Sequence, residues 1–410
     1  MKQPGLTVVH AAALRDAAGL NARPGSLVVK DGRVLAAGVP ASLPPELVCL
    51  AEVIDRRESL LLPGFVNAHT HLELTDVGPQ PYNPAGGFLG WVKFLRASCP
   101  SHLAGRGESA GRGAMLSKQS GVQAVGNIVP EAFFEAARMD QGLEGVSYLE
   151  LFGLGPPFDA DAMQRIETAI VGLQPHAPYS AGPAIYEAAA RSGKPVSTHL
   201  AETKDEVAFV SSCSGPHVDY LKQIGKWDDG FASHYGRGLS PVRWMQPYLN
   251  AAAADGGWLV AHGNYTDDDD IAILGDTNTH VAYCPIASEY FGHQNHRYRD
   301  MLDAGINVCL GTDSIVCALP DDPQPLGLMS AMRRLYHRDQ TNPETLLAMA
   351  TINGAKALRF DRAFATLGSN APAEFACIKI DTDSPVDPLK QVLTSQQPVE
   401  ALSFKVPQSA

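Results

Sequence analysis

The chain has 410 residues and a formal net charge of -12 at pH 7. At about 150 residues per domain, this length allows two or three domains, or one barrel of about 250 residues with a smaller companion. An acidic chain is a poor match for phosphate backbones and for anionic bilayers, so neither nucleic acid nor a membrane is an expected partner.

Seven cysteines are scattered without a Cys-x-x-Cys pair, which fits reduced thiols better than a disulfide framework. The opening MKQPGLTVVHAAALRD has no apolar run followed by a cleavage site, so no signal peptide is expected. No apolar stretch approaches the length needed to span a bilayer. A cytoplasmic location is the expectation.

In chain order, the first sixty residues read as strands. GSLVVKDGRVLAAG is two β-rich runs joined by Asp31-Gly32, a two-residue hairpin signal. Eight apolar runs then alternate with helical stretches: LLPGFVNAHTH, VQAVGNIVP, GVSYLELFG, VGLQPHAPYS, KPVSTHLAE, GWLVAHGN, THVAYCP and INVCLGTDS. Most are rich in Val, Ile or Leu without clean alternation, as strands buried on both faces are. EAFFEAARM, AIYEAAARS and PETLLAMATINGAKALRF read as helices, and SHLAGRGESAGRG as a flexible connection. The tail returns to short β runs, FACIKID and PVEALSFKV. The pattern predicts an α/β fold, a (β/α)8 TIM-type barrel over 61–361. A small β domain is expected from the two ends, 1–60 and 362–410.

In such a barrel the reacting groups project from the C-terminal ends of strands. Here those ends carry His69 and His71, His176, His199 and Glu202, His262, and Asp313. Side chains two apart on a strand share a face, so His69 and His71 can meet one ion. An isolated His-x-His is more often without a ligand role, and Asp313 alone reads equally well as a turn residue. Their company at successive strand ends is what favours a metal. Three imidazoles and one carboxylate suit Zn(II) with room for a water, and Fe(II) is the alternative. Glu202 could carry protons, or could sit in the first turn of the next helix. His262 could steady the attacking water, or could be a turn histidine before Gly263.

PGFVNAHTHLE, STHLAE, VAHGN and LGTDS, in this order, resemble the aminohydrolase and chlorohydrolase branch of the amidohydrolase superfamily. The resemblance covers nearly the whole chain. It implies His69, His71, His199 and Asp313 as metal ligands, Glu202 as the proton shuttle, and His262 beside the attacking water. Two-metal relatives carry a bridging lysine on a middle strand. GVSYLELFG and VGLQPHAPYS have none, so one divalent ion is implied.

HLELT and FLGWVKFL are similar to the deaminases of aminofutalosine, and QPHAPYS to the segment with which adenosine-type deaminases hold their nucleoside. On that likeness His176 is expected to touch substrate, with Glu73, Trp91 and Tyr179 as further contacts. Trp91 and Tyr179 could also simply pack, and Glu73 could be a structural partner. IVCALPDDPQPLG, the 315–327 loop, departs from the branch's pattern and would border the substrate. GSNAPAEFACIKI departs in the small β domain. His293 and His296 could reach substrate or lie in a solvated loop.

The expected reaction is metal-dependent hydrolytic deamination of an amino-substituted nitrogen heterocycle, a small-molecule substrate. Chlorohydrolase or guanine-type deaminase chemistry on the same site is the alternative. From another class, the rival is a non-catalytic binding protein on this barrel. A second copy of the chain is a candidate partner.

Overall fold

The structure is a computed structural model and describes residues 2–99, 103–132, 134–155 and 159–404. Five strands open the chain: β1 (Leu6–Arg15), β2 (Asn21–Ala22), β3 (Gly25–Lys30), β4 (Arg33–Gly38) and β5 (Glu52–Pro63). The expected hairpin is β3–β4, with Lys30 opposite Arg33. Asp31 at φ 48° and Gly32 at φ 76° supply the two positive φ values that such a tight turn requires.

Eight strands follow: β6 (Phe65–Thr70), β7 (Val122–Val129), β8 (Glu144–Leu151), β9 (Gly172–Pro175), β10 (Val196–Leu200), β11 (Trp258–His262), β12 (His280–Tyr283) and β13 (Asn307–Leu310). They coincide with the eight apolar runs. Two more, β14 (Glu374–Lys379) and β15 (Glu400–Ser403), end the chain.

The first sheet runs β15-β14-β5-β1-β3-β4, with β2 on β1. Strand β14 from the tail pairs antiparallel with β5, Phe375 opposite Pro63, so the two ends of the chain do build one mixed sheet. Its buried face gathers Val9, Leu14, Leu27, Val29, Leu61 and Phe375.

The second sheet holds β6 to β13, each bonded to the next in chain order and parallel from β8 to β13. Every residue of β7, β10, β11 and β12 is buried, as in a sheet covered on both faces. A parallel bridge between Thr70 and Asp313 joins the first strand's end to the chain just past the last. The fold is the expected barrel with its mixed sheet.

Two local expectations are corrected. Residues Leu103–Gln119 are a helix, not a flexible connection; Ser101 and His102 of that segment lie outside the described residues. Its glycines mark close approach. A Cβ on Gly113 would stand 2.3 Å from Thr75 Oγ1 and 3.0 Å from the Leu72 carbonyl oxygen. PETLLAMATINGAKALRF is two helices, Pro343–Ala350 and Ile352–Ala357, because Thr351 leaves the helical region at φ -132°, ψ -94°.

The chain forms two compact units, one of Met1–Asn67, Ala114–Val125 and Asp321–Ala410, the other of Ala68–Gly113 and Gly126–Pro320. The site described next lies within the second. Among the described residues, no helix is long and apolar enough to cross a membrane. All seven cysteines are free.

Candidate metal centre and active site

Barrel closure itself assembles the first part of the site. The Asp313 amide donates to the His69 carbonyl at 3.1 Å, and the His71 amide donates to the Asp313 carbonyl at 2.8 Å. These bonds set both histidines beside the aspartate. Asp313 adopts φ 59° and His262 φ 73°, a region non-glycine residues seldom enter and one that concentrates at functional sites.

His69, His199, His262 and Asp313 are all buried and offer ligand atoms within 4.8 Å of one another. His71 joins them. Its Nε2 lies 3.2 Å from His199 Nε2 and 3.6 Å from Asp313 Oδ1. His69 Nε2 lies 3.6 Å from the same oxygen. Five side chains, rather than the four ligands expected, therefore crowd one point.

The donor set fits a cation. His199 Nδ1 lies 3.0 Å from the His176 carbonyl oxygen and 3.1 Å from the Gln174 side-chain amide; with its proton directed to the carbonyl, which can only accept, Nε2 presents a lone pair. His71 Nδ1 faces the Glu73 carboxylate at 3.7 Å; burial lowers this imidazole, but Glu73 and Asp313 raise it to about 9, so in the chain alone the ring carries a proton. Its Nε2, 3.2 Å from His199 Nε2, then donates to the His199 lone pair, and a cation drawn to His199 and Asp313 would take the place of that proton. His262 Nε2 is buried and makes no hydrogen bond among the described residues.

Burial and the neighbouring imidazoles push His199 well below its ordinary value. Burial pushes His262 down to about 3, against the pull of Asp313. Both rings are thus neutral, the form that binds metals. Burial raises Asp313, yet His69, His262 and His71 hold its carboxyl down to about 2.

Glu202 sits beside this cluster, its Oε1 3.7 Å from His262 Nε2. Burial, reinforced by Asp313 and Glu206, lifts its carboxyl well above the usual carboxylate range. Its backbone is clamped on both sides. Glu206 accepts from the amides of Ala201 and Glu202, both at 2.8 Å. Asn264 Nδ2 donates to the Glu202 carbonyl at 3.0 Å, and Ser288 Oγ donates to Asn264 Oδ1 at 2.8 Å. Sequence reading missed Glu206, Asn264 and Ser288. The one available signal was Glu206 itself, a carboxylate in the first helical turn that Thr203 caps by accepting from the Glu206 amide.

His176 lies next to His199, ring centroids 4.9 Å apart, with Glu150 Oε1 3.8 Å from its Nε2. Glu150, His176 and His199 form a second group of close ligand atoms, and Glu150 was not singled out from the sequence. Burial raises the Glu150 carboxyl to about 7, against the pull of His71.

Tyr179 stands 5.7 Å from His176. Trp91 packs in an aromatic group with Phe88 and Phe291, at 5.6 and 5.0 Å. His296 donates from Nε2 to the His262 carbonyl at 2.7 Å, so it braces the backbone under the cluster. His293 Nδ1 bonds the Tyr265 hydroxyl at 2.6 Å. In the 315–327 loop, Ile315–Cys317 form a buried turn, and Cys317 Sγ lies 3.8 Å from Asp313 Oδ2.

Gly311 keeps the barrel closed against this cluster. A Cβ there would meet Cys284 Sγ at 2.7 Å and the His69 carbonyl oxygen at 3.0 Å. Gly311→Ala is expected to cost about 1–3 kcal/mol of stability, as overpacking typically does, and to lower metal occupancy by displacing His69. Chemical denaturation with metal quantification reads both. An unchanged unfolding free energy would remove this contact from the description.

The family model for the amidohydrolase family matches residues 60–401. The chain therefore belongs to the amidohydrolase family, and it is a hydrolase. It is 28% identical over 394 residues to a 5-methylthioadenosine/S-adenosylhomocysteine deaminase of Haloarcula marismortui, covering 87% of this chain and 80% of that protein. The fold is shared with two solved structures. One is an adenosine deaminase of Xanthomonas campestris with bound zinc, at TM-score 0.75 and 18% identity, covering 98% of this chain and 93% of the other. The second is Helicobacter pylori aminofutalosine deaminase in complex with methylthio-coformycin, at TM-score 0.77 and 18% identity, covering 97% and 98%.

Proposed function

We propose that this protein is a metal-dependent deaminase of an aminopurine nucleoside, with residues 61–361 as its catalytic barrel and 1–60 with 362–410 as a composite β domain. The observation that carries this reading is the buried Glu202 carboxyl 3.7 Å from His262 Nε2, beside a histidine–aspartate cluster at the ends of barrel strands. The name of the Haloarcula marismortui relative supports a nucleoside substrate, and the zinc of the Xanthomonas campestris enzyme supports Zn(II). The free cysteines support a reducing, cytoplasmic setting.

His69, His71, His199 and Asp313 would hold one ion, with His262 next to it. A divalent ion there lowers the pKa of a water from 15.7 to about 7. Glu202 takes the proton of the attacking water and delivers it to the ring nitrogen next to the carbon that bears the amino group. Its raised pKa suits both halves of that transfer. His262 holds the attacking oxygen in line, and Asp313 accepts a hydrogen bond from it. The carbon becomes tetrahedral; the remaining hydroxyl proton passes by way of Asp313 to the amino group, which leaves as ammonia, and the oxygen becomes the product's carbonyl. His176, beside His199, and Glu73, beside His71, would contact and orient the heterocycle.

Ammonia release across adenosine, 5-methylthioadenosine, S-adenosylhomocysteine and aminofutalosine tests the reading. Turnover of at least one nucleoside, with ammonia equal to product, is expected. Chloride release from a chlorotriazine, with no ammonia from any nucleoside, would place the chain with the chlorohydrolases instead.

A further inference from the structure

Beyond the cluster, a second pair of polar atoms is buried with nothing among the described residues to satisfy it. The Tyr179 and His217 rings stack, centroids 3.9 Å apart and planes 8° apart. Tyr179 is 8% exposed and His217 3%. The Tyr179 hydroxyl and His217 Nε2 nevertheless make no hydrogen bond among the described residues. Buried polar groups are nearly always paired, so two adjacent exceptions call for a partner from outside.

The pair is linked to the cluster through His176, whose ring centroid is 4.9 Å from that of His199 and 5.7 Å from that of Tyr179. Phe88 covers it from one side, 6.5 Å from Tyr179 and 6.3 Å from His217. Two separate elements position the rings. Tyr179 sits in the turn after β9, and His217 in the first turn of the helix Pro216–Gln223.

We propose that Tyr179 and His217 form the subsite for the hydroxyl-bearing sugar of the substrate, a role that rests on the nucleoside deaminase reading above. A phenol and an imidazole nitrogen can each donate or accept, the imidazole by choice of tautomer. A vicinal diol offers two oxygens with the same versatility, and two stacked ring edges can meet both. Burial pushes the His217 imidazole down to about 4 and the Tyr179 phenol well above its ordinary value, so both are neutral at physiological pH. A carboxylate seated against them would find no countercharge from either ring. Tyr179 is thereby more than a packing residue, and His217 enters as a specificity-determining residue that sequence reading did not reach.

The experiment compares adenosine with its 2′,3′-dideoxy analogue in the zinc-loaded enzyme and in Tyr179→Phe, His217→Phe and His217→Gln. Each Phe variant keeps a ring and loses the polar atom. Wild type is expected to show a KM for the dideoxy analogue about tenfold or more above that for adenosine, consistent with the lost hydrogen bonds. In either Phe variant the adenosine KM rises about tenfold and this discrimination shrinks toward unity, because the diol has lost its partner. His217→Gln, which restores a polar atom, recovers part of it. Wild-type discrimination persisting in both Phe variants overturns the proposal, as does a wild type indifferent to the diol. A wild type that releases no ammonia from any nucleoside overturns the deaminase reading itself, and this subsite with it.

Discussion

Glu202→Gln is expected to lower kcat by about 10²–10⁴-fold, the span typical of a lost general acid–base group, while the enzyme keeps its full complement of metal. The carboxyl sits 3.7 Å from His262 Nε2 and is buried, so the amide replaces it with little change of shape. Glu206 and Asn264 hold its backbone through bonds that the substitution does not touch. The loss should appear in kcat and kcat/KM together, because proton transfer is needed in the transition state rather than in binding. Steady-state ammonia release with parallel metal quantification reads the effect. Unimpaired turnover in a metal-replete variant would remove Glu202 from proton transfer.

The second large effect separates two histidines that the geometry brings to the same point. His71→Ala is expected to lose the ion and with it at least about 10³-fold in kcat, since metal catalysis supplies several kcal/mol and each 1.36 kcal/mol is tenfold. His262→Asn is expected to keep the ion and lose turnover. The basis is orientation. His71 Nε2 faces both His199 Nε2 and Asp313 Oδ1, whereas His262 Nε2 points toward Glu202, the group that handles protons. Full occupancy in His71→Ala combined with loss of metal in His262→Asn would exchange their assignments. The close grouping of His262 with His69, His199 and Asp313 makes that exchange the outcome to watch for.

Much of the fold was legible because the barrel strands are buried on both faces. The strand Trp258–His262 is buried throughout and apolar up to its last residue, so it appears as a continuous apolar run, and the polar residue that ends such a run stands out. That contrast made His69, His199, His262 and Asp313 readable before any geometry. The helix Leu103–Gln119 was not readable, because glycines that serve close packing against Leu72 and Thr75 look the same as glycines of a flexible segment. The break at Thr351 was equally silent, since its backbone angles leave no composition signal.

The supporting residues were hidden for another reason. Glu206, Asn264 and Ser288 act through backbone amides and carbonyls of their neighbours, and such partners are set by three-dimensional approach rather than spacing. His217 sits in an ordinary amphipathic helix, and only the stack against Tyr179 sets it apart. His296 looked like a residue that could reach substrate, yet it holds the His262 carbonyl.

The most direct test is a titration of the metal-free protein with Zn(II) while ammonia release from adenosine or 5-methylthioadenosine is followed. Activity is expected to be absent at first and to rise linearly to a plateau at one equivalent per chain, with the fully loaded enzyme binding no second ion tightly at Glu150 and His176. Full turnover by protein shown to be ion-free, or a plateau reached only at two equivalents, would contradict the single buried cation on which the whole account turns.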